Sequence, residues 1–331
     1  MIKHAGNRLM AMGILVMLIA SFSRNQNKPS FTLVLLPDTQ GYTQHHPEIF
    51  EAQTKWIAAK KDSIAFVLHL GDITNNNVDS QWHQAVKAFG HMDGKVPYSF
   101  VMGNHDMGTN GSADARNTNL MNKYLPYSKY SRFSSFGGAF ENGSMDNTWH
   151  QFKAGGYSWL VISLEFGPRD TVLNWAGKII AAHPAHKVII QTHAYMYSDE
   201  SRMSETRQHK WLPQHYGIGK TGVAGAVNDG EQMWDKLVSR HANIVFVFNG
   251  HVLNDGTGKL VSSGVHGNKV YQMLSNYQYG VTNAVKGGNG FLRIITIDPD
   301  GRRITVKSYS PFTGQYKTEE DHQFSFEDVN L

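Results

Sequence analysis

Side chains that bind metal ions follow five apolar runs of this sequence. They are, in chain order, Asp38, Asp72, Asn104 with His105, His193 and His251. Carboxylate, amide and imidazole groups are ligands for hard and borderline metal ions such as Mn, Fe and Zn. Each residue alone also has an ordinary structural role open to it, because Gly-Asp pairs form turns and a buried histidine can simply be hydrogen-bonded. Their shared position, just after an apolar run, predicts a metal site.

The runs that precede these residues are predicted to be β-strands. They are short and apolar, with many β-branched residues, and cover residues 31–36, 65–70, 98–102, 187–190 and 243–248. Segments of helical period lie between them, with apolar residues three and four positions apart at 49–57, 82–89 and 233–238. This alternation favours a layered α/β protein with parallel strands. The carboxyl ends of such strands converge on one crevice, so the polar side chains can meet there.

Local signals give further expectations. Turn residues predict antiparallel hairpins around residues 154–156 and 298–301. Asp79 and Ser80 lie where the N-cap of the second helix is expected. The long polar segments 107–147 and 195–229 are expected to be functional loops or to contain small elements.

The composition excludes several kinds of site. The chain of 331 residues has no cysteine, which excludes a disulfide framework, a cysteine zinc module and a thiol nucleophile. The formal net charge of +4 comes from 31 Lys and Arg against 27 Asp and Glu, without a run of like charge. No nucleic-acid motif is visible, so a nucleic-acid partner is not expected. We expect one domain over residues 31–331.

Residues 1–23 are predicted to be a signal peptide. Lys3 and Arg8 precede the apolar stretch 9–22, which ends in small residues. A basic start before an apolar run of this length is typical of secretory signals. The run is short for a transmembrane helix, and an uncleaved anchor is the alternative. We expect a periplasmic or secreted protein that meets the membrane only through this segment.

Together these residues resemble the calcineurin-like metallophosphoesterases. That family has the pattern D-x-H, G-D, G-N-H-[DE], a lone H after a strand and G-H-x-H. This chain supplies, in the same order, Asp38, Gly71-Asp72, Gly103-Asn104-His105-Asp106, His193 and Gly250-His251. Residues 37–40, 164–170 and 287–290 look like a bacterial exported branch of the family, with Pro-Asp-Thr-Gln in place of D-x-H. The resemblance implies a four-layer α/β/β/α sandwich of two mixed β-sheets.

Two departures from the family pattern concern one metal position. Gln40 stands where D-x-H has its histidine, and Leu253 stands at the last histidine of G-H-x-H. The resemblance assigns Asp38, Gln40 and Asp72 to the first metal position, and Asp72, Asn104, His193 and His251 to the second. An amide is a weaker ligand than imidazole, so the first position is expected to bind weakly. Asp255, two residues beyond Leu253, is a candidate replacement ligand.

The resemblance also implies a reaction. One or two divalent or trivalent ions (Mn, Fe or Zn) would activate a hydroxide for in-line attack on a small-molecule phosphodiester or phosphomonoester. His105 would act as the general acid for the leaving group. Asp106 would orient its loop or cap its own turn. Arg202 or Arg207 could clamp the phosphate, and the aromatic residues between 124 and 140 could wall a cleft or pack in the core.

Two alternatives to this enzyme remain open. Gln40 and Leu253 motivate a one-metal protein that is weakly active or only binds a ligand. A metal-assisted hydrolase of another ester is the second alternative, since a fold does not fix its chemistry.

Overall fold

The computed structural model describes residues 1–2 and 28–331. Within this part of the chain, 14 β-strands and seven α-helices are present. The strands are β1 (Phe31–Leu36), β2 (Ile64–His69), β3 (Tyr98–Phe100), β4 (Phe136–Ala139), β5 (Thr148–Ala154), β6 (Tyr157–Ser163), β7 (Lys187–Gln191), β8 (Ile244–Asn249), β9 (Thr257–Ser263), β10 (Lys269–Ser275), β11 (Leu292–Asp298), β12 (Arg303–Ser310), β13 (Gln315–Lys317) and β14 (Gln323–Phe326). The helices are α1 (Gln40–His45), α2 (Pro47–Ala59), α3 (Asp79–Gly90), α4 (Asn119–Tyr124), α5 (Tyr127–Tyr130), α6 (Asp170–Ala182) and α7 (Gly230–Lys236).

Two mixed sheets form the centre of the fold. The first has the order β13-β12-β11-β1-β2-β3, with β14 also paired to β12, and the second has the order β4-β5-β6-β7-β8-β10-β9. The strands β1, β2 and β3 are parallel neighbours, and so are β6, β7, β8 and β10. Because these parallel strands all end at one edge of their sheets, the loops that follow them converge.

Alternate residues of the central strands serve two different cores. Leu33 and Leu35 of β1 face the second sheet, where they join a buried cluster with Phe246 and Phe248 of β8. Val34, between them, belongs to the other buried cluster, which contains the apolar faces of helices α2, α3 and α6. A strand that is apolar on both faces must be covered on both faces. The layers are therefore helix, sheet, sheet and helix, which confirms the predicted four-layer α/β/β/α sandwich.

Most predictions of single strands, helices and turns are confirmed, and one is wrong. The five strands, the helices at 49–57 and 82–89, and both hairpins are confirmed. The N-cap prediction is wrong, because helix α3 starts at Asp79 itself, with Val78 at the cap position and no side-chain cap hydrogen bond. The third helical face, at 233–238, is divided between α7 and a 3-10 turn (Val238–Arg240). The long polar segments contain α4, α5, β4 and several 3-10 turns.

The predicted signal peptide lies outside the described residues, apart from its first two positions. Among the helices within residues 28–331, none is long and apolar enough to cross a bilayer.

Candidate metal centre

Sharp backbone turns place the predicted ligands at the carboxyl ends of the strands. Asp38 follows β1, Asp72 follows β2 and His251 follows β8, and all three adopt positive φ angles of 42°, 49° and 75°. Non-glycine residues rarely adopt this left-handed conformation, and strained backbone of this kind recurs at functional sites. The turns direct these side chains into the crevice between the two sheets.

Close approach explains two glycines of the sequence motifs. A Cβ on Gly103 would lie 2.0 Å from Oδ1 of Asp72, and a Cβ on Gly250 would lie 2.1 Å from Oδ2 of Asp38. Any larger residue would displace the carboxylate that passes over the backbone at that point. Both positions therefore need glycine, so that the carboxylates can approach the backbone.

Three of the predicted ligands come together in one buried group. One ligand atom each from Asp72, His193 and His251 lies within 4.8 Å of the others. Nε2 of His193 is 3.2 Å from Oδ2 of Asp72 and 3.1 Å from Nδ1 of His251. The site thus combines one carboxylate with two imidazoles, a donor set that suits Mn, Fe and Zn.

Backbone carbonyls orient both imidazoles for metal binding. His193 donates from Nδ1 to the carbonyl oxygen of Leu70 at 2.7 Å, and His251 donates from Nε2 to that of Trp211 at 2.7 Å. The remaining ring nitrogen of each histidine therefore faces the group. A hydrogen bond at the opposite nitrogen is the usual way in which proteins fix a metal-binding tautomer.

Burial and mutual charge shift the pKa values of all three groups. Burial lowers the pKa of His251 to about 3, and the charge of His193 adds to this effect. Burial also disfavours the charged form of His193, but the carboxylate of Asp72 outweighs it and raises the pKa of His193 to about 9. Burial opposes ionisation of Asp72 as well, yet the charges of His193 and His105 hold its pKa below its usual range. The carboxylate of Asp72 therefore favours a positive charge beside it.

Two buried amide oxygens favour a bound metal ion at this site. Oδ1 of Asn104 and Oε1 of Gln40 are both buried and have no hydrogen-bond partner in the described part of the chain. A buried polar atom without a partner is uncommon and calls for an explanation such as an ion. Both residues were predicted as metal ligands, so the residues present fit a metal centre.

The first metal position remains poor in ligands. Oδ1 of Asp38 accepts hydrogen bonds from the N–H of His251 at 3.1 Å and from Nε2 of Gln278 at 3.0 Å. Burial, together with the charge of Asp72, raises the pKa of Asp38 well above its usual range, although His193 acts in the opposite direction. The hydrogen bond from Gln278 therefore stabilises the carboxylate of Asp38, as the charge of a bound ion would.

Asp255 is not the replacement ligand that the sequence suggested. Its side chain is exposed and accepts the N–H of Thr257 at 3.2 Å. Leu253 is half-buried, and its methyl groups lie beside Gly280. Neither residue offers a ligand atom to the group of Asp72, His193 and His251.

The general-acid candidate borders the ligands in a fixed orientation. His105 is half-buried, its backbone N–H donates to Oδ1 of Asp72 at 3.0 Å, and its Nδ1 donates to the carbonyl oxygen of Asn75 at 2.8 Å. Its Nε2 has no hydrogen-bond partner among residues 28–331. Asp106 ties this turn to the neighbouring loop, because its carboxylate accepts the N–H groups of Gly103, Ile73 and Thr74. Asp106 thus both orients the loop and caps its own turn.

The arginine predictions are not supported. Arg202 forms an ion pair with Glu231, donates to Ser262 at 3.0 Å and lies 4.4 Å above the ring of Trp234, so it is engaged elsewhere. Arg207 is exposed. The aromatic residues after Tyr124 act mainly as core: Tyr130, for example, packs 5.0 Å from the ring of Phe100.

Sequence reasoning missed several residues that support the site. His69 accepts the N–H of Gly71 at 3.3 Å on Nδ1 and bonds Oγ1 of Thr39 at 3.0 Å through Nε2, so it links the loops of Asp72 and Asp38. Gln278 follows strand β10, and the rule that polar residues follow parallel strands would have found it. Trp211 and Tyr216 lie in the long segment 195–229, which has no periodic signal.

Comparison with known proteins agrees with this geometry. A family model described as calcineurin-like phosphoesterase matches residues 31–255. The uncharacterized protein YvnB of Bacillus subtilis (strain 168) is 27% identical over 302 residues, which are 86% of this chain and 20% of that protein. The chain therefore spans about a fifth of the length of this curated relative. The purple acid phosphatase PPD1 from yellow lupin (Lupinus luteus) seeds is 14% identical, with a TM-score of 0.52 over 90% of this chain and 54% of the lupin chain, which is a likeness of fold.

Because the family model covers more than half of the chain, including the loops of all five predicted metal-binding segments, this protein belongs to the calcineurin-like phosphoesterase family.

Proposed function

We propose that this protein is an exported, metal-dependent hydrolase of small-molecule phosphate esters, either phosphodiesters or phosphomonoesters. The observation that carries the proposal is the buried group of Asp72, His193 and His251, with ligand atoms within 4.8 Å of one another. The unpartnered amide oxygen of Asn104 and the oriented imidazole of His105 lie next to this group. Ligands and a proton donor are thus combined at one place.

In this proposal the second metal position is the better supplied with ligands. Asp72, Asn104, His193 and His251 would hold an ion of Mn, Fe or Zn there, and Asp38 and Gln40 would hold a second ion more weakly, with Asp72 shared. Such ions, when bound, neutralise charge on a phosphoryl group and lower the pKa of water to near neutrality. The poor first position favours one firmly bound ion and a second that depends on concentration or substrate.

His105 supplies the proton to the leaving-group oxygen in this proposal. The hydrogen bond from Nδ1 to Asn75 leaves Nε2 as the atom that donates, and the half-buried ring can reach a bound ester. A well-placed general acid contributes roughly 10²- to 10⁴-fold to the rate. Asp106, which has no contact with the leaving group in this scheme, maintains the position of the loop.

The decisive experiment combines metal quantification with an ester panel. The purified protein is loaded with Mn, Fe, Zn, Co or Mg, and hydrolysis of an aryl phosphodiester and an aryl phosphomonoester is followed. We expect metal-dependent turnover of at least one ester, at least one ion per chain, and loss of activity in Asp72→Asn and His105→Ala. The first variant should also lose metal, whereas the second should retain it. Absence of turnover for both ester classes in metal-loaded protein would refute the proposed function.

A one-metal binding protein is the second candidate. It is favoured by the hydrogen bond from Gln278 to Asp38, because a protein donor then occupies one of the carboxylate's acceptor positions. This candidate predicts one ion per chain and tight binding of phosphate without hydrolysis. The same metal and ester measurements distinguish it from the enzyme.

Export and domain extent are parts of the same proposal. The basic and apolar character of residues 1–23 supports a periplasmic or secreted location, with the membrane met only through that segment. Pairing of β1 with β11 supports one domain over residues 31–331, because strands from both ends of this range complete one sheet. Cell fractionation of the full-length chain, compared with a variant that starts at residue 24, tests the location.

A further inference from the structure

We propose that the hydroxyl group of Tyr216 binds a phosphoryl oxygen of the substrate beside the metal centre. This inference rests on the proposed phosphoesterase function and adds a binding residue to it. No sequence pattern identifies Tyr216, which lies in the long segment 195–229.

The ring of Tyr216 is anchored on the metal ligands. It packs edge-on against Phe166, with ring centroids 5.1 Å apart at an angle of 89°, and its centroid lies 6.1 Å from that of His251. Phe166 in turn lies 5.7 Å from His193. Two of the three ligands in the buried group thus contact a set of rings that includes Tyr216.

The backbone around Tyr216 is held by a second segment. Ile218 donates its N–H to the carbonyl oxygen of Ala113 at 3.1 Å, and a Cβ on Gly217 would lie only 2.4 Å from the carbonyl oxygen of Asp114. The loop therefore packs closely on the segment that follows His105. A residue held in this way is pre-organised for binding, because little conformational freedom remains to be lost.

The hydroxyl of Tyr216 is free to bind a ligand. The residue is half-buried, and its hydroxyl makes no hydrogen bond to any residue within 28–331. A tyrosine hydroxyl can donate a hydrogen bond.

Two other candidate donors are already engaged. The amide of Gln278 donates to Asp38, and the guanidinium of Arg202 is paired with Glu231. A phosphoryl group presents oxygens that need donors beyond those of the metal ligands and His105. The hydroxyl of Tyr216 is a donor in the segment 195–229 that can meet this need.

The test compares Tyr216→Phe with Tyr127→Phe. Tyr127 is a matched control, because it is also half-buried and packs edge-on against a phenylalanine, Phe136, at 5.6 Å and 86°. Both variants keep the ring and lose only the hydroxyl. Binding of orthophosphate to the Mn-loaded proteins is measured by calorimetry, with metal content measured on the same samples and hydrolysis of the aryl ester measured in parallel.

We expect Tyr216→Phe to weaken orthophosphate binding about 10-fold or more, as the loss of a hydrogen bond to a charged group does. Its metal content should equal that of the parent, and Tyr127→Phe should bind phosphate as the parent does. Equal phosphate affinity in the parent and Tyr216→Phe, at equal metal content, would overturn the inference and leave the phosphoesterase proposal intact. A metal-loaded parent that neither binds phosphate nor hydrolyses esters would overturn both.

Discussion

Replacing Asp106 by asparagine tests whether the turn of Asn104 and His105 is held by a buried carboxylate. Oδ2 of Asp106 accepts the N–H of Ile73 at 3.0 Å and that of Gly103 at 2.9 Å. Oδ1 accepts the N–H of Thr74 at 2.8 Å and its hydroxyl at 3.0 Å. The side chain is fully buried. Asparagine has the same shape, but one of its two terminal atoms is a donor.

The magnitude follows from these contacts. The less costly orientation places the new NH₂ group toward Thr74, because the threonine hydroxyl can turn to accept it while the N–H of Thr74 loses its acceptor. One buried N–H without a partner costs about 1–3 kcal/mol, and hydrogen bonds to a neutral oxygen are weaker than those to a carboxylate. Burial raises the pKa of Asp106 to about 6, so removal of the charge returns part of this cost. We expect Asp106→Asn to lower the free energy of unfolding by about 3 kcal/mol.

Urea unfolding at pH 7 of metal-free protein measures this change, with Asp114→Asn as the control. Asp114 also accepts a backbone N–H, from Thr109 at 2.8 Å, but it is exposed, so its midpoint should stay near that of the parent. We also expect weaker metal binding in Asp106→Asn, because Asn104 lies on the released turn. A loss below about 1 kcal/mol at an unchanged m value would show that Asp106 does not hold the turn.

Three other changes test separate features. Burial lowers the pKa of His150 from 6.5 to about 3, so the unfolded chain takes up a proton below pH 6.5 while the folded chain does not, and stability falls with the pH. The parent should therefore lose about 2 kcal/mol more unfolding free energy than His150→Phe when the pH is lowered from 7 to 5. Urea unfolding at both pH values measures this difference, and an equal loss in parent and variant would contradict the prediction. His69→Ala should weaken metal binding about 10- to 100-fold in competition with a chelating dye, because His69 links two ligand loops. Gln40→His combined with Leu253→His should raise the metal content toward two ions per chain, and elemental analysis showing no gain would refute the view that missing imidazoles weaken the first position.

Much of the fold and of the centre was predictable. Apolar runs mark the central strands clearly, because a strand covered on both faces needs apolar residues throughout. The rule that parallel strands end at a common crevice then brought together Asp72, His193 and His251. Gln278 was not included, because the strand before it, β10, was not among the five predicted strands.

Two predictions about single residues failed for a different reason. Arg202 had the type of a phosphate clamp, but its partners Glu231 and Ser262 come from distant parts of the chain. Asp255 had the type of a ligand and a suitable position in the sequence, but its side chain turns to Thr257. Residue type and spacing indicate what a side chain can do, whereas its engagement elsewhere depends on non-local neighbours.

The sequence by itself indicated the layered architecture, because this depends on apolar periodicity. It also predicted the candidate metal-binding side chains and a weak first metal position, because these predictions depend on ligand chemistry and on the residues at Gln40 and Leu253. The tertiary structure decided which groups assist them. The carbonyl groups of Leu70 and Trp211 orient the two imidazoles. These are contacts between segments far apart in the chain, and only the packing of two sheets and their loops brings them within hydrogen-bonding distance.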